Sequence, residues 1–74
     1  MHELAIASLP IRLGQFLKVA NLAQDGLEAK LRIQSGEVTV NGAREVRRGR
    51  QLVDGDKVEV DGVVYRISGP HPAR

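Results

Sequence analysis

The chain has 74 residues, a formal net charge of +2, 3% aromatic residues and no cysteine. A chain of this length forms one small domain that buries only about 60% of its unfolded surface, and without cysteine it has neither disulfide bonds nor thiolate metal sites. No apolar run reaches the roughly 18 residues of a membrane helix, and no cationic signal segment starts the chain, so we expect a cytoplasmic protein.

The basic residues are concentrated in one part of the chain. Residues 12–50 hold eight basic residues against four acidic ones, a net +4, whereas residues 51–74 hold three against four, a net −1. Such segregation is typical of proteins that bind a polyanion, although ordinary charge scatter on a solvated surface is the alternative.

The N-terminal part of the chain predicts one amphipathic helix. Residues 3–8 are compatible with a strand, because leucine and isoleucine alternate with smaller residues, but their alanines also suit a helix. Pro10 ends this segment, since the residue before a proline favours extended geometry. Residues 11–22 carry apolar residues at helical spacing, with Phe16 as a core anchor and Gly14 on the opposite, polar side.

A second helix is predicted over residues 26–35. Asp25 is a favourable N-cap, and Gly36 suits the left-handed residue that often follows a helix. Apolar residues, among them Leu27 and Leu31, occur on more than one side of this helix. We therefore expect it to pack on two sides, against the first helix and against the strands.

A hairpin and a basic loop follow the second helix. Residues 37–40 predict a strand with its two valines inward, and Asn41-Gly42 is a strong signal for a two-residue hairpin turn. Such a turn brings Glu45 onto the face of the valines, so regular pairing should break near this residue. The basic loop, residues 44–50, begins there; it holds four arginines and a glycine that gives it a mobile backbone.

The C-terminal third predicts another extended segment and a second hairpin. Residues 51–53 are extended, and residues 54–56 form a turn. Residues 57–60 and 63–67 then form a hairpin around an Asp-Gly turn, with the alternating apolar residues on one face. Residues 68–74 have the composition of a flexible tail.

Side chains that support catalysis are few and scattered. The only histidines, His2 and His71, lie near the ends of the chain, and the aspartates within residues 54–61 occupy predicted turns, where aspartate is common. We therefore expect no enzyme activity, no metal site, no cofactor and no small-molecule substrate.

The basic loop is the strongest functional signal in the sequence. Arginine presents a planar fork of donors that suits phosphate, and the shortage of aromatic residues argues against a base-stacking platform. Charge alone leaves DNA open as a partner, but no predicted helix carries the basic face of a DNA recognition helix. These features predict backbone and shape recognition of folded RNA; the alternative is an adaptor that binds an acidic protein through the same basic face.

Several runs of residues resemble the S-four RNA-binding domain, which is named after small-subunit ribosomal protein S-four. The most specific run is residues 36–42, Gly-Glu-Val-Thr-Val-Asn-Gly, at the end of a predicted helix. Residues 47–50 resemble the small stand-alone bacterial proteins of this family. Many members have an aspartate where this chain has Gly14. The rest of the similarity lies in residues 11–17, 28–30 and 33–35, and in Leu52, Gly55, Asp56 and Val58.

The resemblance implies an α+β fold in which two N-terminal helices pack against a small, mostly antiparallel sheet. The motif would span about residues 11–60 of a single domain over residues 1–67. The resemblance also implies a structured RNA partner, ribosomal or transfer RNA, a role in ribosome assembly or translation, and no membrane partner. Carried over by position, the residues of one RNA-binding groove would be Arg12, Lys18, Lys30, Gln34, Gly36, Thr39, Asn41, Arg44, Arg47, Arg48 and Arg50.

Overall fold

The computed structural model describes residues 1–69, which form two helices and seven strands. No helix among these residues has the length and apolar character needed to cross a membrane. The elements in chain order are β1 His2–Ala5, β2 Ile11–Arg12, α1 Leu13–Val19, α2 Gly26–Gln34, β3 Val38–Val40, β4 Ala43–Arg44, β5 Gln51–Leu52, β6 Lys57–Val60 and β7 Val63–Ser68.

The larger sheet has five strands in the order β1-β7-β6-β3-β4. Strand β1 runs parallel to β7, and all other neighbours in this sheet are antiparallel. Strands β2 and β5 form a separate two-stranded antiparallel ladder. Both helices and one face of the sheet contribute to a single core. The predicted fold, two helices against a small, mostly antiparallel sheet, is therefore confirmed.

The core lies between the helices and the inner face of the sheet. Phe16, the predicted anchor, is fully buried. Buried and more exposed residues alternate along β3 and β6, so Thr39 and Glu59 point to the outer face of the sheet. The other large side chains that are fully buried are Leu13, Leu17, Ile33, Val38, Leu52, Val58, Val60 and Ile67.

Two short turns set the register of two strand pairs in the sheet, β3 with β4 and β6 with β7. Asn41 and Gly42 have φ angles of +53° and +85°, and Asp61 and Gly62 have φ angles of +55° and +77°. Positive φ at both central residues matches the twist of the flanking strands, which is why these residue pairs favour tight hairpins. Regular pairing along the first hairpin ends at Arg44, which confirms the predicted break.

The N-terminal elements differ from their predicted boundaries. Of the two structures considered for residues 3–8, the strand is the one that forms, as β1. The predicted helix over residues 11–22 was too long at both ends, because its first two residues form β2 and α1 ends at Val19. The partner of β2 is β5, far along the chain, so local spacing carries no signal for this ladder.

Both ends of α2 are capped as the sequence predicts. The Asp25 carboxylate accepts the Glu28 N–H at 2.8 Å, which satisfies one of the free donors of the first turn. Gly36 follows the helix with φ +85° and donates its N–H to the Ile33 carbonyl, while the next residue donates to the carbonyl of Arg32. This pair of bonds is the Schellman arrangement that a left-handed glycine permits.

Helix α2 packs through one face, which corrects the prediction of packing on two sides. Ala29 and Ile33 are fully buried, whereas Leu27 and Leu31 are 65% and 57% exposed. Both pairs are four residues apart, so helical spacing alone does not show which pair faces the core. In this small domain the core covers only one side of the helix.

The predicted tail over residues 68–74 falls mostly on residues 70–74, which lie outside the described residues together with His71. Ser68 belongs to β7, and the Gly69 N–H donates to the Asp54 carboxylate at 3.0 Å. The division into a domain over residues 1–67 and a tail stays a prediction.

Candidate nucleic-acid interface

The basic loop folds around a buried carboxylate. Glu45 is only 6% exposed, although it lies in the most basic stretch of the chain. Its oxygens accept the Arg47 N–H at 3.0 Å and the Arg47 Nε and Nη2 at 2.9 and 3.2 Å. Arg50 Nη1 donates a fourth bond at 2.8 Å. The basic loop, whose backbone was expected to be mobile, is therefore held in place by this network of charged hydrogen bonds.

The same network sets the charge state of Glu45. Hydrogen bonds from the Arg47 side chain, and then from Arg50, lower the pKa of Glu45 to about 2. The carboxylate in turn raises the pKa of Arg47. The charges of Arg47 and Arg50 are thus partly neutralised by their ion pairs with Glu45, although the Arg47 side chain remains 72% exposed.

The basic loop also caps helix α1. The helix has no side-chain N-cap in the part of the chain that the structure describes. Instead, the Leu13 N–H donates to the Arg50 carbonyl at 2.8 Å, and the Gly14 N–H donates to the Arg48 carbonyl at 3.0 Å. These bonds satisfy backbone donors that the first turn of a helix leaves free. The loop and the helix therefore form one unit.

Gly14 allows Arg48 to lie against the helix. A Cβ atom at Gly14 would lie 2.7 Å from the Arg48 Cγ, closer than carbon atoms pack. Gly14 is accordingly buried, which corrects its predicted place on the polar side of the helix. The stem of the Arg48 side chain therefore covers this position of the helix.

An open cleft brings together three of the predicted residues. This feature, the basic cleft, has a volume of about 210 Å³. Its charged side chains come from β2, α1 and the basic loop, and none of the three forms an ion pair within residues 1–69. Small residues on α1 and α2 keep it open. It is lined by Arg12, Gly14, Gln15, Lys18, Gly26, Ala29 and Arg48.

The predicted single groove is divided in the structure. Thr39 and Asn41 line a second cleft, of about 470 Å³, with Lys57 and Glu59 on the outer face of the sheet. The Asn41 amide nitrogen donates to Asp56 Oδ1 at 3.0 Å, and its oxygen accepts the Lys57 N–H at 2.9 Å. Asn41 therefore joins the first hairpin to β6, away from the basic cleft.

The other predicted residues lie outside both clefts. The Arg44 side chain packs over Gly36, with its Cδ 3.2 Å from where a Cβ at that glycine would lie. Lys30 is half-buried and Gln34 is exposed, both on α2. The eleven predicted residues thus form several groups, and only Arg12, Lys18 and Arg48 share the basic cleft.

Arg32, which lies on α2 and not in the basic loop, uses its guanidinium for three hydrogen bonds. Its guanidinium donates to Glu37 at 3.1 Å, to Asp61 at 2.6 Å and to the Leu22 carbonyl at 2.9 Å. These bonds connect α2, the loop that precedes it and the turn between β6 and β7. Arg32 therefore holds the fold together and does not extend the basic cleft.

Sequence reasoning did not identify the small residues of the cleft or the organising role of Glu45. Gly26 and Ala29 line the cleft because they leave space beside α1, and no local pattern signals this. Glu45 did carry a signal, since it is the one acidic residue in the basic loop and lies where regular pairing breaks.

Comparison with known proteins gives three consistent findings. The family described as the S4 domain matches residues 4–68. The chain is 46% identical over 61 residues to the probable ribosome maturation protein RlbA of Bacillus subtilis (strain 168), covering 82% of this chain and 86% of that protein. It is also similar to the solution structure of YbcJ from E. coli, which is described as revealing an ALFAL motif involved in RNA binding. The TM-score of this match is 0.68 at 29% sequence identity, and it covers 92% of this chain and 87% of that one.

Proposed function

This chain belongs to the S4 domain family, as the sequence resemblance predicted, and we propose that it binds structured RNA in ribosome maturation without catalysing a reaction. The observation that carries the proposal is the basic cleft, where Arg12, Lys18 and Arg48 converge and form no ion pair with any acidic residue of the described part of the chain. The similarity to a ribosome maturation protein and to a structure described by an RNA-binding motif supports the same function.

The basic cleft suits a folded phosphate backbone. Each guanidinium or ammonium group can neutralise a phosphate, and the release of counterions makes such binding strongly dependent on salt. Gly14 and Gly26 leave room for a backbone to approach closely. Because the loop that carries Arg48 is already ordered, little conformational freedom is lost on binding.

The remaining basic residues would contribute unequally. Arg47 and Arg50 already bind Glu45, so we expect each to add less to RNA affinity than Arg48 does. Arg44 lies beyond the basic cleft and would contact RNA only if the RNA continues along the edge of the sheet. Contacts from Lys30, Gln34, Gly36, Thr39 and Asn41 also stay predictions.

We propose ribosomal RNA, within an assembling ribosomal particle in the cytoplasm, as the partner. The relative named as a ribosome maturation protein favours it over transfer RNA. Binding to a ribosomal RNA fragment, a transfer RNA and a DNA duplex should be compared at one salt concentration, with the fragment bound most tightly. Equal binding of transfer RNA would overturn the choice of RNA, and binding only to an acidic protein would favour the adaptor alternative.

The cleft itself is tested by Arg48→Gln, with Arg66→Gln as the matched control. Both variants remove one positive charge, but Arg66 lies on β7, outside the basic cleft, and glutamine keeps the carbon atoms that pack over Gly14. The slope of log affinity against log salt should flatten by about 0.7 to 0.9 for Arg48→Gln and change little for Arg66→Gln. Equal slopes for the two variants would refute the assignment of the cleft.

A further inference from the structure

The acidic residue of the basic loop has a role that its charge alone does not suggest. We infer that Glu45 is a positioning residue for RNA binding, which holds the loop so that Arg48 lies in the basic cleft. This inference rests on the proposed function. It assigns to a negative charge a favourable effect on the binding of a polyanion.

Glu45 binds residues that lie before and after Arg48 in the chain. The Arg50 N–H donates to the Arg47 carbonyl at 3.2 Å, so residues 47–50 form a turn with Arg48 and Gly49 at its tip. Glu45 binds the side chains of both end residues of this turn, through Oε2 and Oε1. Every polar atom of the carboxylate is therefore used to close the turn.

The tip of the turn is in contact with helix α1. The Arg48 carbonyl accepts the Gly14 N–H at 3.0 Å, and the Arg48 stem packs over Gly14. With both ends of the turn bound to Glu45 and its tip bound to α1, the backbone and the side-chain stem of Arg48 are held in place before RNA arrives. Without Glu45, the arginines at both ends of the turn lose their anchor.

Two effects of Glu45 on RNA affinity have opposite signs. Its charge repels phosphate, but Arg47 and Arg50 bind the carboxylate and offset that charge, and salt screens charges over about 8–10 Å, so the net repulsion is small. Ordering a long side chain on binding costs roughly 2- to 12-fold in affinity, and Glu45 closes the turn that holds Arg48 in the basic cleft. Ordering should therefore dominate.

The first experiment compares Glu45→Gln with Glu3→Gln in the binding of a structured ribosomal RNA fragment. Both variants remove one negative charge, and Glu3 lies on β1, at the opposite edge of the sheet from the basic loop. Glu45→Gln should weaken binding by about fivefold, while Glu3→Gln leaves it unchanged or slightly tighter. If Glu45→Gln binds as tightly as Glu3→Gln, the inference is overturned.

A double-mutant cycle asks whether Glu45 acts through Arg48. Glu45→Gln should cost little in an Arg48→Gln background, because the side chain that it positions is already gone. In an Arg44→Gln background, which alters an arginine packed on Gly36, Glu45→Gln should keep its full effect. Equal effects in both backgrounds would show that Glu45 does not act through Arg48.

Arg47→Lys provides a second variant that keeps both the net charge and Glu45. Lysine lacks the fork that makes two bonds to the carboxylate, so RNA affinity should fall by about two- to threefold, and the Gly14 amide should exchange with solvent faster than in wild type. Wild-type affinity in Arg47→Lys would contradict the inference. Wild-type protein that binds no structured RNA would refute the proposed function itself, whereas wild-type binding with unchanged Glu45→Gln affinity would refute only the positioning role.

Discussion

The buried carboxylate of the basic loop should make the free energy of unfolding fall at low pH. Glu45 has a pKa of about 2 in the folded protein, against an ordinary value of 4.5, because Arg47 and Arg50 bind its charged form. This lowering corresponds to about 3 kcal/mol of folding free energy. The Arg47 and Arg50 side chains are 72% and 34% exposed, so solvent screening reduces our expectation to about 1–2 kcal/mol.

The direction of the effect follows from the lowered pKa. Because the folded protein binds the proton of Glu45 less readily than the unfolded chain does, the stabilisation is complete above pH 4.5 and is lost as the pH falls toward 2. The pKa of Glu37 is also lowered, first by the Ser35 hydroxyl and then by Arg32, so this residue acts in the same direction. Acid sensitivity of the wild type alone therefore does not identify Glu45.

The assay is urea denaturation at pH 6 and at pH 2.5 for wild type, Glu45→Gln and Glu3→Gln. Wild type should lose about 1–2 kcal/mol more than Glu45→Gln between the two pH values, because only wild type protonates Glu45. Glu3→Gln should follow wild type. If wild type and Glu45→Gln lose the same stability, the charged network around Glu45 does not stabilise the fold, and the reasoning is refuted.

Three further substitutions test the caps and contacts. Gly14→Ala should leave the free energy of unfolding within about 1 kcal/mol of wild type, because the higher helix propensity of alanine offsets its clash with the Arg48 side chain. It should nevertheless weaken RNA binding by displacing Arg48. Thermal unfolding and RNA titration measure the two effects. Asp25→Ala should destabilise by about 1 kcal/mol in urea denaturation through loss of the N-cap, with RNA affinity unchanged. Arg32→Met should lower the free energy of unfolding by about 1–2 kcal/mol in the same assay, because Arg32 binds two carboxylates and a carbonyl outside the cleft. The salt slope of RNA binding should stay unchanged, and a flattened slope would contradict this assignment.

Local sequence signals predicted the central part of the fold. The Asn41-Gly42 turn fixes the pairing of β3 with β4, and the Asp61-Gly62 turn fixes the pairing of β6 with β7, because only one register is compatible with two positive φ angles at the turn. The buried valines then select the inner face of the sheet. Asp25 marks the start of α2 through a bond that forms within one helical turn.

Features that depend on distant parts of the chain were not predicted. The first two residues of the expected first helix pair instead with β5, and that competition is decided by long-range packing. Leu27 and Leu31 have the same helical spacing as buried residues, but the small core does not reach them. In both cases the deciding contact lies outside the window that a local pattern covers.

The site was predicted by charge but not by geometry. The basic residues were predicted as one group, whereas their division between the cleft, the Glu45 network and the outer sheet depends on which face each element presents. Thr39 and Asn41 belong to a strand and turn whose outer face lies away from Arg48. Residue type predicted the kind of ligand, and tertiary packing determines which residues can share it.

The most direct measurement is a titration of isotope-labelled protein with a structured ribosomal RNA fragment, followed by NMR amide shifts. The proposal predicts that the largest shifts occur at Gly14, Lys18 and Arg48, because these residues line the basic cleft. Thr39 and Val64, on the outer face of the sheet, should shift little. Large shifts on the outer face with none in the basic cleft would contradict the central claim that this cleft binds RNA.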